Sequence, residues 1–203
     1  MTWEVLTFIG TIAFAISGTI IAMEEEYDIL GVYILGIVTA FGGGAIRNLL
    51  IGVPVSALWD QSLYFITALV SITIVFLFPT NLSRHWDRWG NFSDAIGLSA
   101  FAIQGAMYAV ELNHPISAII VSAALTGCGG GIIRDVLAGR KPLVFRKEIY
   151  AVWAIIAGLA LGSGLFSQAW QLYTLFIVVT LFRVLSYTYN WHLPNKKWVP
   201  KTQ

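Results

Sequence analysis

Two apolar segments of the chain carry one motif, FGGGAIRN at residues 41–48 and CGGGIIRD at residues 128–135. Each glycine in a helix interior costs about 1 kcal/mol relative to alanine, so three in a row weaken a helix. An arginine near the centre of a membrane helix costs about 2.5 to more than 10 kcal/mol. The motif therefore predicts two copies of one membrane unit, each with a breakable helix and a buried positive charge.

The composition places the chain in a membrane and excludes several functions. Hydrophobic residues make up 57% of the 203 positions and charged residues 11%, against roughly 25% charged in soluble domains. No basic block with interleaved aromatic residues occurs, so nucleic acid is not an expected partner. The single cysteine, Cys128, excludes an intramolecular disulfide and a cysteine-based zinc site. No catalytic motif is present and the histidines form no cluster, so we predict no enzyme activity and no cofactor.

Seven apolar runs are long enough to be membrane spans, since a bilayer core of about 30 Å needs about 20 residues. An all-α integral membrane protein is therefore expected. The runs lie near residues 4–23, 29–51, 60–79, 94–111, 115–139, 147–167 and 169–190. We divide them into a first repeat (1–80), a second repeat (94–167) and a seventh helix with its tail (169–203).

The two halves of the chain are an internal repeat. Residues 9–52 align without a gap to residues 96–139, and the matched positions include glycines, threonines and the two motif arginines. Each copy contains three spans, an odd number, so the second copy enters the membrane from the opposite face. This pattern is typical of an inverted repeat with a pseudo-two-fold axis in the membrane plane.

Basic residues predict the orientation of the chain. With the C-terminus in the cytoplasm, nine lysines and arginines fall in cytoplasmic connections and the tail: Arg84, Arg88, Arg140, Lys141, Arg146, Lys147, Lys196, Lys197 and Lys201. The positive-inside rule then places the N-terminus outside the inner (plasma) membrane.

The glycine triplets have two interpretations. They could break spans two and five, freeing backbone carbonyls to line a pathway for cations, or they could only let two helices pack closely. The repetition of the triplet with an attached arginine favours a pathway. Thr39 and Thr126, just ahead of the triplets, could line the pathway or hydrogen-bond to backbone carbonyls, and the second use is expected. The candidate pore and hinge residues are Gly42, Gly43, Gly44, Gly129, Gly130, Gly131, Thr39 and Thr126.

The arginines need polar partners if they are buried. Arg134 precedes Asp135, whereas Arg47 precedes the neutral Asn48 and is expected to find Asp60 or Asp94. The alternative is that both arginines extend to the membrane interface and only anchor helix ends. We take Arg47, Asn48, Arg134 and Asp135 as candidate gating groups, because a guanidinium group repels a permeant cation.

The paired GGGxxR[ND] motifs within two three-span repeats and one further helix resemble the bacterial members of the trimeric intracellular cation (TRIC) channel family. The resemblance implies seven helices, a homotrimer, and a potassium-permeable pore in each protomer between kinked second and fifth helices. It also implies that basic residues after the kinks take part in gating or lipid contact. Animal members carry a Lys-Glu-Val motif after the hinge where this chain has arginine.

The expected function is therefore a channel for monovalent cations such as K⁺ or Na⁺, with membrane lipid around it. Closely similar bacterial sequences also carry a glycine transporter label, so a secondary transporter of a small amino acid is the alternative. A third possibility is an assembly subunit without transport activity. Single-channel currents and counterflow of labelled glycine would distinguish the three.

Overall fold

The computed structural model describes residues 2–78, 86–145, 149–191 and 193–194. Seven α-helices form in this part of the chain, which confirms the predicted all-α fold. They are α1 (Thr2–Glu24), α2 (Ile29–Ile51), α3 (Ser62–Leu77), α4 (Trp86–Glu111), α5 (Ile116–Leu137), α6 (Ala151–Gly162) and α7 (Ala169–Thr188). Short 3₁₀ turns, Val55–Leu58 and Leu143–Phe145, follow α2 and α5.

The helices α1, α2, α5 and α7 are long and apolar enough to cross a membrane, while α3 and α6 are shorter apolar helices. The main differences from the expected spans are in α4 and α6. Helix α4 begins at Trp86 rather than near 94, because its first turns are polar and a hydropathy scan does not detect them. Helix α6 covers only Ala151–Gly162 of the expected 147–167.

The expected breaks at the glycine triplets are absent. Helix α2 runs without interruption through residues 42–44, and α5 through residues 129–131. Glycine lowers helix stability but still permits helical backbone angles, and packing against neighbouring helices supplies the missing stability. The expectation that the triplets free backbone carbonyls is therefore wrong for this structure. A bend within the continuous helices stays a prediction.

Reciprocal contacts relate the two repeats. An added Cβ on Gly10 would lie 2.9 Å from the ring of Phe101, and one on the equivalent Gly97 would collide with Phe14. The two phenylalanine rings meet edge to face, with their centroids 5.3 Å apart. Gly10 of the first repeat thus packs against Phe101 of the second, and Gly97 of the second packs against Phe14 of the first. A two-fold axis between the copies generates this exchange.

The connections predicted to share one face of the membrane lie together. Arg140, after α5, forms ion pairs with Glu24 and Glu25 at the end of α1. Beyond α7, the carbonyl of Trp191 accepts a hydrogen bond of 3.0 Å from the amide of Ile149. Of the nine basic residues used to predict the orientation, six lie outside the described residues: Arg84, Arg146, Lys147, Lys196, Lys197 and Lys201.

Candidate functional site at the α2–α5 crossing

The glycine triplets lie where α2 and α5 touch. An added Cβ on Gly43 would be 2.6 Å from the carbonyl oxygen of Thr126 and 3.1 Å from the amide of Gly130. An added Cβ on Gly130 would collide with the carbonyl oxygen of Thr39. Real side chains do not fit at these distances, so the close-packing interpretation of these two glycines is confirmed.

The other triplet glycines have different surroundings. An added Cβ on Gly129 would lie 3.0 Å from the Cα of Gly43, while one on Gly42 would lie 2.7 Å from Ile133. An added Cβ on Gly131 would lie 2.8 Å from the hydroxyl of Tyr150. Gly44 is the most open, since an added Cβ there would be 3.7 Å from its nearest neighbour, the Arg47 side chain. Within the two triplets, the closest approaches to the opposing backbone are therefore at Gly43 and Gly130.

Both predicted threonines are buried beside the crossing with their hydroxyl groups occupied. Thr39 donates to the carbonyl of Leu35 and Thr126 to the carbonyl of Ser122, each at 2.6 Å. This confirms the expected threonine-to-carbonyl bonding. Gly18 and Gly105, at equivalent positions of α1 and α4, leave room for the two hydroxyls.

Arg134 lies in a charged cluster and is 2% exposed. Its Nε and Nη2 donate to Oδ1 of Asp135 at 2.9 and 2.8 Å. Its Nη1 donates to Asp94 Oδ1 at 2.8 Å and to Ser17 Oγ at 2.6 Å. The hydroxyl of Tyr150 donates to the same Asp94 oxygen at 3.1 Å. Two carboxylates thus face one guanidinium group.

Arg47 is equally buried but lies among neutral groups. Its Nε and Nη2 donate to Oδ1 of Asn48 at 3.1 and 2.8 Å, and its Nη1 donates to Oε1 of Gln104 at 3.2 Å. Gln104 in turn donates to the hydroxyl of Thr7 at 2.9 Å. The ring of Tyr108 covers the guanidinium, with its centroid 4.1 Å from Cζ. This is a cation–π contact.

The expectation that both arginines find polar partners is confirmed, and the alternative that they extend to the interface is wrong, because both are buried. The expected partner of Arg47 is also wrong. Asp94 binds Arg134 rather than Arg47, because α4 places it on the side of α5, and Asp60 is exposed in the connection after α2. In the part of the chain that the structure describes, no carboxylate forms an ion pair with Arg47.

The two clusters correspond through the repeat. The equivalent pairs are Thr7 with Asp94, Ser17 with Gln104, Arg47 with Arg134, and Asn48 with Asp135. Each arginine therefore hydrogen-bonds to a residue of the other repeat. The sequence indicates this correspondence, because the constant offset between the two copies aligns Ser17 with Gln104 and Thr7 with Asp94.

Three aromatic or basic participants were not singled out from the sequence as site residues: Tyr108, Tyr150 and Arg183. Arg183 of α7 is buried, and its guanidinium lies over the ring of Tyr150 at 4.6 Å from the centroid. The sequence does indicate Arg183, because it is a charged residue inside an apolar span. Nothing in the repeat indicates Tyr150, which lies where the gap-free alignment has ended.

Two cavities reach the crossing, and Arg47 lines both. The larger, about 280 Å³, lies between the C-terminal half of α2 and the first half of α5. It is lined by Arg47, Leu50, Ile51, Ser117, Ala118, Val121, Ser122 and Leu125. The smaller, about 20 Å³, lies among α1, α2, α4 and α5, and its lining includes Gly44, Gln104 and Thr126.

Comparison with known proteins identifies relatives along almost the whole chain. The family model described as glycine transporter matches residues 4–80 and 91–163. The UPF0126 membrane protein YvgT of Bacillus subtilis is 70% identical over 196 residues, covering 97% of each chain.

Solved structures agree with the fold. A prokaryotic TRIC channel crystallised in 0.5 M KCl is 35% identical, with a TM-score of 0.86 and coverage of 94% of this chain and 98% of that one. The TRIC trimeric intracellular cation channel orthologue from Rhodobacter sphaeroides is 30% identical, with a TM-score of 0.84 and coverage of 93% and 98%. With matching helices, a matching family model and full-length relatives, this multi-pass membrane protein belongs to the TRIC channel family.

Proposed function

We propose that the chain forms a potassium-permeable channel for monovalent cations, assembled as a homotrimer with one pore in each protomer. The observation that carries the proposal is full-length similarity to TRIC cation channels of known structure, at 30–35% identity. The buried polar clusters on either side of the α2–α5 crossing support it, because such groups are costly in a membrane protein without a polar route.

We propose that the pore follows the α2–α5 interface, with the two glycine triplets, Thr39 and Thr126 as its lining and hinge. Gly43 and Gly130 bring the two backbones into contact, so conduction requires α2 and α5 to bend or separate there. Consecutive glycines lower the cost of such a change because they stabilise the straight helix least. The cavity with Arg47, Ser117 and Ser122 in its lining supports an open space on one side of this closure.

We propose that Arg47 with Asn48 and Arg134 with Asp135 control gating rather than bind the permeant ion. Arg134 connects α5 to Ser17 of α1 and Asp94 of α4, so its release would loosen α5 from both helices. Arg134→Ala is expected to change open probability more than potassium-to-sodium selectivity in single-channel recordings. Arg134→Lys, which keeps a counter-charge for the carboxylates, is the companion variant if the alanine variant does not fold. Unchanged gating with reversed selectivity would contradict this role.

The deciding experiment is planar-bilayer recording of the purified full chain in asymmetric potassium and sodium salts. A channel gives unitary cation currents. A carrier, as the description of the family model suggests, gives saturable counterflow of labelled glycine without resolvable openings. Absence of both activities would favour an assembly subunit.

We further propose an inner-membrane location with the N-terminus outside and the C-terminus in the cytoplasm, and repeat units at 1–80 and 94–167 followed by 169–203. The basic residues Arg88, Arg140 and Lys141 support this orientation. Cysteines introduced at the repeat-equivalent positions Glu26 and Asn113 test it. An impermeant thiol reagent added outside intact cells should label the second position only.

A further inference from the structure

Arg47 carries a buried positive charge that no described carboxylate balances. Its hydrogen bonds go to the neutral oxygens of Asn48 and Gln104, and the Tyr108 ring covers one face. A buried charge is strongly disfavoured unless a charge of opposite sign accompanies it. The Arg134 cluster has this compensation in Asp94 and Asp135. Both repeats therefore contain a buried guanidinium group, but among the described residues only the one in the second repeat is paired with carboxylates.

A cavity beside Arg47 has space in which an anion could bind. The cavity of about 280 Å³ has Arg47 in its wall, and the hydroxyl-bearing residues Ser117 and Ser122 line it as well. A water molecule occupies roughly 30 Å³ of liquid, so this volume accepts a small ion with part of its hydration shell. Arg47 is the one charged residue among the described residues of this lining, and apart from the two serines the others are apolar.

We propose that the cavity beside Arg47 binds one small monovalent anion, either a halide or a small carboxylate such as acetate. The bound anion supplies the negative charge that Asp94 and Asp135 supply at Arg134. The predicted consequence for transport rests on the proposed channel function: the anion cancels a positive charge that would otherwise repel cations. Binding itself can be measured without any current.

The first test is thermal unfolding of the purified full chain in potassium bromide, with ionic strength kept constant by potassium HEPES, whose anion is bulky. A ligand that binds only the folded state raises the midpoint with its concentration, so a saturable rise with bromide is expected for the unaltered protein. Bromide-soaked crystals should show an anomalous peak beside the Arg47 guanidinium.

Two variants localise the effect while retaining Arg47. Asn48→Asp supplies the carboxylate that Arg134 already has in Asp135, and Ala118→Leu fills the cavity. Each is expected to weaken bromide binding at least tenfold and to remove the anomalous peak. No saturable effect of bromide or acetate on the unaltered protein would overturn the proposal. An equal effect in Asn48→Asp would also overturn it.

Acetate distinguishes the two kinds of anion. If acetate displaces bromide and itself raises the midpoint, the site takes a carboxylate, and if acetate has no effect, it takes a halide. The test also separates this proposal from the previous one. Bromide or acetate binding by a protein that passes no cation current would refute the channel and support the site, while current without such binding would do the opposite.

Discussion

The Arg47 and Arg134 clusters have the same backbone placement and opposite electrostatics. Arg134 is bound by two carboxylates, with a tyrosine hydroxyl and a serine completing the cluster. Arg47 has an asparagine, a glutamine and a tyrosine ring, with cavities beside it. The repeat thus preserves the geometry of the site while its charge has diverged. The charge of Arg134 is therefore compensated by carboxylates, whereas the described residues around Arg47 are neutral.

The largest expected effect comes from removing each arginine. Arg134→Leu strands Asp94 and Asp135 in the protein interior and should lower the free energy of unfolding by about 3–5 kcal/mol. Arg47→Leu leaves only neutral groups without a partner and also removes a buried charge that no described carboxylate balances, so it should cost at most about 1–3 kcal/mol. Unfolding of both variants in the same detergent gives the difference. Equal losses would show that the charge asymmetry does not determine stability.

The second effect concerns glycines of the two triplets. Gly130→Ala should destabilise the protein by about 1–3 kcal/mol, because the new Cβ overlaps the carbonyl of Thr39 and forces α2 and α5 apart. Gly44→Ala, where the nearest atom is 3.7 Å away, is the matched control. It should be neutral or stabilise the helix by up to about 1 kcal/mol. Thermal unfolding measures the stability of both variants. If Gly44→Ala destabilised the protein as well, it would contradict the inference that, of these two positions, only Gly130 has no room for a side chain.

The smallest effect is expected at the ends of the helices. Burial alone lowers the pKa of the Arg140 guanidinium, but its hydrogen bonds and charge attraction with Glu24 and Glu25 raise it overall, so the guanidinium stays ionised. Because these side chains are partly exposed, Arg140→Ala should cost only about 0–1 kcal/mol. The difference should shrink in high salt. A salt-independent loss above this range would mean that Arg140 stabilises the fold by packing.

The sequence predicts the helices and the repeat well, because membrane spans and ungapped internal matches depend on local composition. It does not decide whether a glycine triplet breaks a helix or allows a close crossing, since both need residues without side chains. The answer at Gly43 and Gly130 depends on the distance to the opposing backbone. That distance is a property of the packed helices.

The partners of Arg47 and Arg134 are less predictable from the sequence. Asp94 lies in a segment that a hydropathy scan treats as a loop boundary, yet it is buried in α4 against Arg134. Tyr150 and Arg183 come from outside the gap-free repeat, so no internal comparison could indicate them. The sequence correctly indicates that Arg134 has a carboxylate neighbour in Asp135, whereas Arg47 has only the amide of Asn48. It does not indicate that a tyrosine ring and Gln104 surround Arg47.

The exchange of hydrogen bonds between the repeats has a consequence for biogenesis. Arg47 depends on Gln104, and Arg134 depends on Ser17, so neither three-helix unit contains all the partners of its own arginine. While the ribosome is still translating the second unit, the first lies in the translocon or bilayer with a guanidinium that lacks its contacts to Gln104 and Tyr108. We expect newly made N-terminal fragments to be degraded when expressed alone and to be rescued by co-expression of the missing half.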